Sequence, residues 1–170
     1  MYLSLPGNKA TLLVRQHESP CMRSIPLLFL ATAFPVAACS DASDTSAAIG
    51  RLVRTDKPAT LRLADATRFE WDQVFIFAPY TSRASACGVL GVQAEACERT
   101  VPFESMDDGE MSLAFMAQGQ VVRYVRHSRA NGDFVPVPAD QPLTRDDAVF
   151  RIVPFEIMAN GRTLIRLVKK

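Results

Sequence analysis

Apolar and aromatic residues are densest in the segment from 70 to 80, which carries the clearest strand signal of the chain. The segment is rich in β-branched and aromatic residues, and a proline closes it. With the two-residue period of a strand, Val74 and Ile76 face one side while Phe75 and Phe77 face the other. Because both sides are apolar, the pattern predicts a central strand covered on both faces, with a helix as the expected cover.

Residues that cap and end helices follow this strand directly. Thr81 or Ser82 can cap a short helix that extends to Leu90, and Gly91 is a stop signal. The spacing predicts one short helix packed against the strand before it.

Four later segments have strand composition and are joined by turn signals. They pair into two predicted hairpins: Met111–Met116 with Val121–His127 around Gln118-Gly119-Gln120, and Val149–Ile157 with Thr163–Val168 around Asn160-Gly161. An Asn-Gly pair is the strongest hairpin turn signal in the chain. Leu61–Leu63 is a weaker strand, and Asn131–Pro142 is predicted to be a loop because it is rich in proline and aspartate. The fold class that follows is α+β, with a small, mainly antiparallel sheet and one or two short helices.

The N-terminal third has a different pattern. An uncharged, mostly apolar run from Ile25 to Ala38 follows the positive charge of Arg23. The run is shorter than the about 20 residues that a permanent membrane helix needs, and it contains two prolines. A charge, a short apolar run and small residues at its end are typical of a cleaved secretory signal.

The end of this run, Val36-Ala37-Ala38-Cys39, is similar to the lipobox of bacterial lipoproteins. The resemblance implies that Cys39 is lipidated, with palmitate among its acyl chains, and becomes the new N-terminus. The cysteine is needed because its thiolate is the nucleophile that accepts the lipid. Two alternatives stay open: an ordinary signal cleaved after Ala38, and a buried N-terminal helix.

The chain is predicted to consist of four segments. Residues 1–21 are interpreted as an upstream extension from a mis-called start codon, with Met22 as the true initiator, or as a disordered stretch. An unusually long leader is the alternative. Residues 22–38 are the signal peptide. Residues 39–48 are small and polar and are interpreted as a flexible tether. Residues 49–170 form a single globular α+β domain preceded by that tether.

Removing the leader changes the formal net charge from +1 to −1, because Lys9, Arg15 and Arg23 leave together with Glu18. A nearly neutral domain argues against nucleic-acid binding, which needs a strong positive field. The predicted partners are a membrane, through the N-terminal lipid, and an envelope protein or polymer. Since Ser40 follows the cysteine and Asp41 comes one place later, the lipobox resemblance favours the outer membrane, facing the periplasm, over the inner membrane.

Of the four cysteines, Cys87 and Cys97 are the pair left for the exported domain. An even pair in an oxidising compartment predicts a disulfide. Two free buried thiols are the alternative. A metal site is less favoured, because two cysteines without nearby histidines provide too few ligands. The sequence predicts no cofactor and no metal.

Candidate catalytic groups are sparse. His127 is the only histidine after the leader. It could act as a base, but no Gly-x-Ser-x-Gly sequence provides a nucleophile, and a solvated histidine beside Arg126 and Arg129 is the favoured interpretation. Glu70 and Asp72 lie two apart on a strand and could share a face for acid–base chemistry, although capping of a neighbouring turn is the simpler role.

An acidic cluster and a group of basic residues are further candidate binding sites. Asp107, Asp108 and Glu110 could bind a cation, but their spacing does not fit a calcium loop, so an acidic turn is favoured. The C-terminal half is basic and could gather a patch for anionic head groups, cell-wall polymer or an acidic partner; scattered solvated charges are the alternative. Its members are Arg123, Arg126, Arg129, Arg151, Arg162, Arg166, Lys169 and Lys170.

The sequence Trp71-Asp72, an apolar stretch, and then Phe77-x-Pro79-Tyr80-Thr81 resembles a pattern in small bacterial envelope lipoproteins. The resemblance covers about Glu70 to Val125, including the acidic turn Asp107-Asp108-Gly109. It implies the order strand, helix, hairpin, and it carries no activity to transfer. Trp71 and Tyr80 themselves are expected in the core or at a sheet edge.

Two functional hypotheses follow from these patterns. The favoured one is a lipid-anchored envelope protein whose domain is a non-enzymatic binding or interaction module. The alternative is a small hydrolase of envelope polymers that uses carboxylates such as Glu70 and Asp72, which would have to lie about 5–10 Å apart in a cleft.

Overall fold

The structure is a computed structural model, and it describes residues 41–55, 59–137 and 141–170. Three α-helices and eight strands occur in these ranges. The helices are α1 (Asp41–Thr55), α2 (Arg83–Leu90) and α3 (Ala94–Thr100). The strands are β1 (Thr60–Arg62), β2 (Gln73–Phe77), β3 (Glu110–Ala117), β4 (Gln120–Ser128), β5 (Asp133–Phe134), β6 (Leu143–Thr144), β7 (Val149–Ile157) and β8 (Thr163–Lys169). Two single 3-10 turns, Leu63–Ala66 and Arg129–Asn131, join them.

The strands form two four-stranded sheets. Sheet A has the order β1-β7-β8-β5, and sheet B has the order β4-β3-β2-β6. Neighbouring strands are antiparallel except for the short parallel pair of β5 with β8. The predicted α+β class with a mainly antiparallel arrangement is therefore confirmed.

Both predicted hairpins are present, and local turn geometry explains them. In the β3–β4 hairpin, Gln118 and Gly119 both have positive φ, at 52° and 75°. Two consecutive left-handed residues are the geometry of a two-residue hairpin turn, whose twist matches that of the strands. In the β7–β8 hairpin, Gly161 has φ of 78° and Arg162 donates its backbone N–H to the side chain of Asn160.

Strand β2 is the central strand that its two apolar faces predict. It lies inside sheet B, between β3 and β6. Val74 and Ile76 point into a main core, and Phe75 and Phe77 point into a second core on the other side of the sheet. The period-two pattern therefore specified both faces correctly.

The main core lies between the two sheets and is closed by α1. Its largest buried side chains include Phe115 from sheet B, Phe134 and Phe150 from sheet A, and Ile49 from α1. Phe134 belongs to β5, inside the segment predicted to be a loop, so that prediction is wrong at Asp133–Phe134. The reason is a long-range one, because this short strand exists only through its pairing with β8.

The second core lies between the outer face of sheet B and the pair α2 and α3. Helix α2 has the predicted boundaries. The Ser82 side chain accepts the N–H of Ser85, and Gly91 ends the helix in the left-handed conformation. Helix α3 was not predicted, and it has no buried residue of its own, which explains its weak sequence signal.

Helix α1 corrects the predicted boundary between tether and domain. Residues 41–48 were assigned to a flexible tether, but α1 begins at Asp41, and Thr45 and Ser46 are buried. Small side chains let this helix approach the sheets closely, while Ile49 and Val53 anchor it in the main core. Cys39 and Ser40, the rest of the predicted tether, lie outside the described residues.

Gly50 shows how close that approach is. A Cβ atom there would lie 2.5 Å from Oδ1 of Asn131, which is well inside contact distance, whereas a Cβ atom at Gly88 in α2 would meet nothing within 4 Å. The two helical glycines therefore have opposite roles. Only Gly50 is required by packing.

We expect Gly88→Ala to raise the free energy of unfolding by about 0.5–1 kcal/mol, because alanine loses less backbone entropy in a helix. Gly50→Ala gains the same propensity but must displace Asn131, so it should lower the free energy of unfolding by about 1–2 kcal/mol. Urea unfolding of both variants checks the pair. Stabilisation by Gly50→Ala would contradict the close docking of α1.

Candidate functional site

His127, the candidate base, lies inside the domain rather than in solvent. Its side chain is 0% exposed and contacts the ring of Phe134 in the main core. The expectation of a solvated histidine at the end of a hairpin is therefore wrong. The reason is α1, which covers this end of β4 and brings Ser46 against the imidazole.

A closed set of hydrogen bonds surrounds the imidazole. His127 Nε2 lies 2.7 Å from the carbonyl oxygen of Gly132, which can only accept, so Nε2 carries the proton. His127 Nδ1 is then the acceptor for the hydroxyl of Ser46, at 3.1 Å. The Ser46 oxygen in turn accepts from the backbone N–H of Ser128 and from Nδ2 of Asn131, each at 3.1 Å.

These hydrogen bonds fix α1 to β4 and the following turn; they are not the arrangement of a catalytic nucleophile and its base. Both lone pairs of the Ser46 oxygen are occupied by N–H donors, and Ser46 and His127 are both buried. A serine nucleophile needs an oxygen that substrate can reach and a base that can take up a proton. Burial lowers the pKa of His127 to about 4, although its bond to the Gly132 carbonyl and the charge of Asp133 oppose the shift.

The two carboxylates of the hydrolase hypothesis are engaged separately. Glu70 is almost fully exposed and forms an ion pair with Arg145 at 3.2 Å. Asp72 accepts the backbone N–H of Gln118, at 2.8 Å, and so fixes the β3–β4 turn. The role of Asp72 in a neighbouring turn is confirmed. Both side chains are exposed, which does not provide the cleft that a carboxylate pair would need.

The acidic turn is confirmed as a turn. Asp107 accepts the backbone N–H of Gly109 at 2.7 Å, and Glu110 forms an ion pair with Arg126 across β3 and β4. Within the described ranges, no group of three or more His, Cys, Asp or Glu side chains could hold a metal ion.

The eight basic residues do not form one patch. Arg126 and Arg129 are held by carboxylates, Arg126 by Glu110 and Arg129 by Asp133. Arg151 and Arg166 point to the outer face of sheet A, because their neighbours Phe150 and Leu167 point into the core. The interpretation as dispersed charges is therefore supported for Arg126 and Arg129.

Cys87 and Cys97 form a disulfide, as the sequence predicted. Their Cα atoms lie 5.8 Å apart, and the bond links α2 to α3 over the second core. Arg83 strengthens the same layer, because its Nε donates to the carbonyl of Val101 at 2.8 Å. The disulfide therefore fixes the outer helical layer and does not touch the groove described next.

An open groove of about 800 Å³ lies where the β7–β8 hairpin extends beyond the C-terminal end of α1. Its floor is apolar and is made by Val53, Ile152, Pro154 and Ile165. Val53, Ile152 and Ile165 also belong to or pack against the main core. The groove is thus a continuation of the core face of sheet A that no described element covers.

Charged and exposed apolar side chains border this groove. Arg54 from α1 and Arg162 from the β7–β8 turn line it together with Glu156. Ile157 also lines it and is 74% exposed, whereas the ring of Phe155 lies under the guanidinium of Arg166 on the outer face of sheet A. A large apolar side chain so exposed beside a concave surface is typical of a binding site.

Neither this groove nor the helix that borders it is predicted from the sequence. The spacing of Ile49, Leu52 and Val53, three and four residues apart, is the helical signal that could have predicted α1. No local pattern indicates the groove, because its lining comes from two segments about 100 residues apart.

Comparison with known proteins adds no identification. No protein-family model, curated protein or solved structure matches the chain. Across the described ranges, no helix has both the length and the apolar character to cross a membrane. Val36 to Cys39 lie outside those ranges, so the lipobox and the resemblance to envelope lipoproteins stay predictions.

Burial of the neutral His127 imidazole makes the free energy of unfolding depend on pH. Its pKa of about 4 in the folded state lies below the ordinary histidine value of 6.5, so the unfolded chain binds more protons between those two pH values. The stability that neutral His127 contributes is complete above pH 6.5 and is lost as the pH falls to about 4, a loss of about 3 kcal/mol.

Urea unfolding between pH 4 and pH 7 checks this sign, with His127→Gln expected to remove that part of the pH dependence. In a His17→Gln background, where His127 is the only histidine, its NMR titration should have a midpoint well below 6.5. A midpoint at or above 6.5 would contradict the buried, neutral imidazole.

Reduction of the disulfide should lower the free energy of unfolding by about 2–3 kcal/mol, because the bond closes a short loop in the unfolded chain. Unfolding with and without reductant measures the effect. The double variant Cys87→Ser/Cys97→Ser is the control and should not respond to reductant. An equal response from both proteins would show that the reductant acts elsewhere.

Proposed function

We propose that this chain is a lipid-anchored cell-envelope protein whose folded domain is a binding module. The observation that carries the binding role is the groove, with its apolar floor, the exposed side chain of Ile157, and two arginines at its border. A concave, largely apolar surface with a few polar groups is the usual form of a ligand site.

The anchor in this proposal is the lipid on Cys39, the cysteine of the Val36-Ala37-Ala38-Cys39 sequence. The disulfide between Cys87 and Cys97 supports an exported location, because such bonds persist in oxidising compartments. Ser40 after the cysteine favours the outer membrane, with the domain facing the periplasm.

The anchor in this proposal is short. Helix α1 begins at Asp41, so only Ser40 separates it in the sequence from the proposed lipid attachment site at Cys39. A tether of one residue would keep the domain against the bilayer surface instead of letting it range through the periplasm. Its partner or ligand would then be met at that surface.

The hydrolase alternative has less support. Glu70 and Asp72 are each bound to a different partner, and His127 is buried in a saturated network. Binding is therefore favoured over carboxylate-based or nucleophilic hydrolysis.

The anchor is tested by acylation of the full chain in a Gram-negative host grown with an alkynyl palmitate analogue. We expect label on the wild-type protein and none on Cys39→Ser, because the thiolate of Cys39 is the acceptor. Cys21→Ser is the matched control and should keep its label. An unlabelled wild-type protein, or a labelled Cys39→Ser, would contradict the proposal.

A further inference from the structure

We propose that the groove at the end of the β7–β8 hairpin binds a single acyl chain that carries an anionic head group. The chain lies along the apolar floor, and the head group is bound at Arg162 with Arg54 nearby. This inference rests on the binding role proposed above, but it does not depend on the lipid at Cys39.

The apolar part of the groove fits a flexible hydrocarbon. Its volume of about 800 Å³ lies within the range of about 300–1,000 Å³ that is usual for small-molecule sites. Ile152, Pro154 and Ile165 form a continuous floor on the core face of the hairpin. An acyl chain seated there would also remove Ile157 from water, and this burial of apolar surface is the driving force for its binding.

The charges of the groove favour an anion. Two arginines and one glutamate line it. Arg54 donates to the backbone carbonyls of Gly50 and Ala130, which orient the guanidinium without neutralising it. The Arg162 guanidinium lies near the sulfur of Met158, at 3.9 Å, and no ion pair joins it to any carboxylate in the described part of the chain. Guanidinium groups bind carboxylate and phosphate oxygens strongly.

An added β-strand is a poorer occupant for the same groove. Strand β1 ends its pairing with β7 at Thr60, and the next bond on that edge joins the Ile152 N–H to the carbonyl of Ala59. By the two-residue period of a strand, the following N–H on this edge would belong to Pro154, which has none. The register also shifts between Pro154 and Glu156. A proline and a bulge are devices that prevent strand addition at a sheet edge.

The test is titration of the full chain, carrying Cys39→Ser so that no lipid is attached, with cis-parinaric acid, a fatty acid whose fluorescence rises in apolar surroundings. We expect saturable binding of one probe per chain and displacement by oleate. Arg162→Gln should weaken binding about tenfold by removing a charge-assisted contact. Arg151→Gln, a cation on the opposite face of the same hairpin, should bind as the parent does.

A second pair of variants tests the apolar part. Ala59 is exposed and lines the groove, so Ala59→Trp should fill the groove and abolish binding. Ala94→Trp, at an exposed position of α3, is the matched control and should leave binding unchanged. Circular dichroism checks that each variant is folded.

The proposal is overturned if the probe does not bind, or if Arg162→Gln and Ala59→Trp bind it as their controls do. It is also overturned if the protein does not bind monomeric fatty acid and sediments only with phosphatidylglycerol vesicles, because the surface would then recognise a bilayer. Because the protein in this test is not acylated, these outcomes are independent of whether Cys39 carries a lipid.

Discussion

The buried hydrogen bonds of Ser46 hold α1 against sheet B and the turn that follows it, and much of the structure depends on that contact. Ser46 connects the helix to His127 and Ser128 of β4 and to Asn131 of the following turn. With α1 in this position, Ile49 and Val53 complete the main core, and Arg54 bonds the carbonyl of Ala130. The same helix forms one wall of the groove.

The two sheets differ in how much of their surface other elements cover. The outer face of sheet B is covered by α2 and α3, and the disulfide holds that layer in place. On sheet A, the far end of the β7–β8 hairpin extends past α1 and keeps an apolar, cationic surface open. Binding is therefore proposed at the one end of the described domain where the core face continues beyond its cover.

Local signals predicted the parts of this fold that local interactions build. A few neighbouring residues determine each of three elements: strand β2, the capped helix α2 and the turn at Asn160-Gly161. The disulfide was predictable because Cys87 and Cys97 are the two cysteines that remain once the predicted leader and the predicted lipid attachment site are set aside. Asp72 was also assigned correctly, to a turn.

Contacts between distant segments explain what the sequence did not predict. Ser46 and His127 are 81 residues apart. The neighbours Arg126 and Arg129 therefore indicate neither that the histidine is buried nor that both of its ring nitrogens are hydrogen-bonded. Helix α1 was mistaken for a tether because its first turns are small and polar, a composition that suits both a flexible segment and a helix packed closely on a sheet.

Amide hydrogen exchange followed by mass spectrometry shows whether α1 belongs to the folded domain. We expect amides from residue 49 to residue 53 to be protected to the same degree as those of β3 and β4, because the helix unfolds only with the core. Exchange of these amides at the rate of an unstructured peptide, while β3 and β4 stay protected, would contradict it.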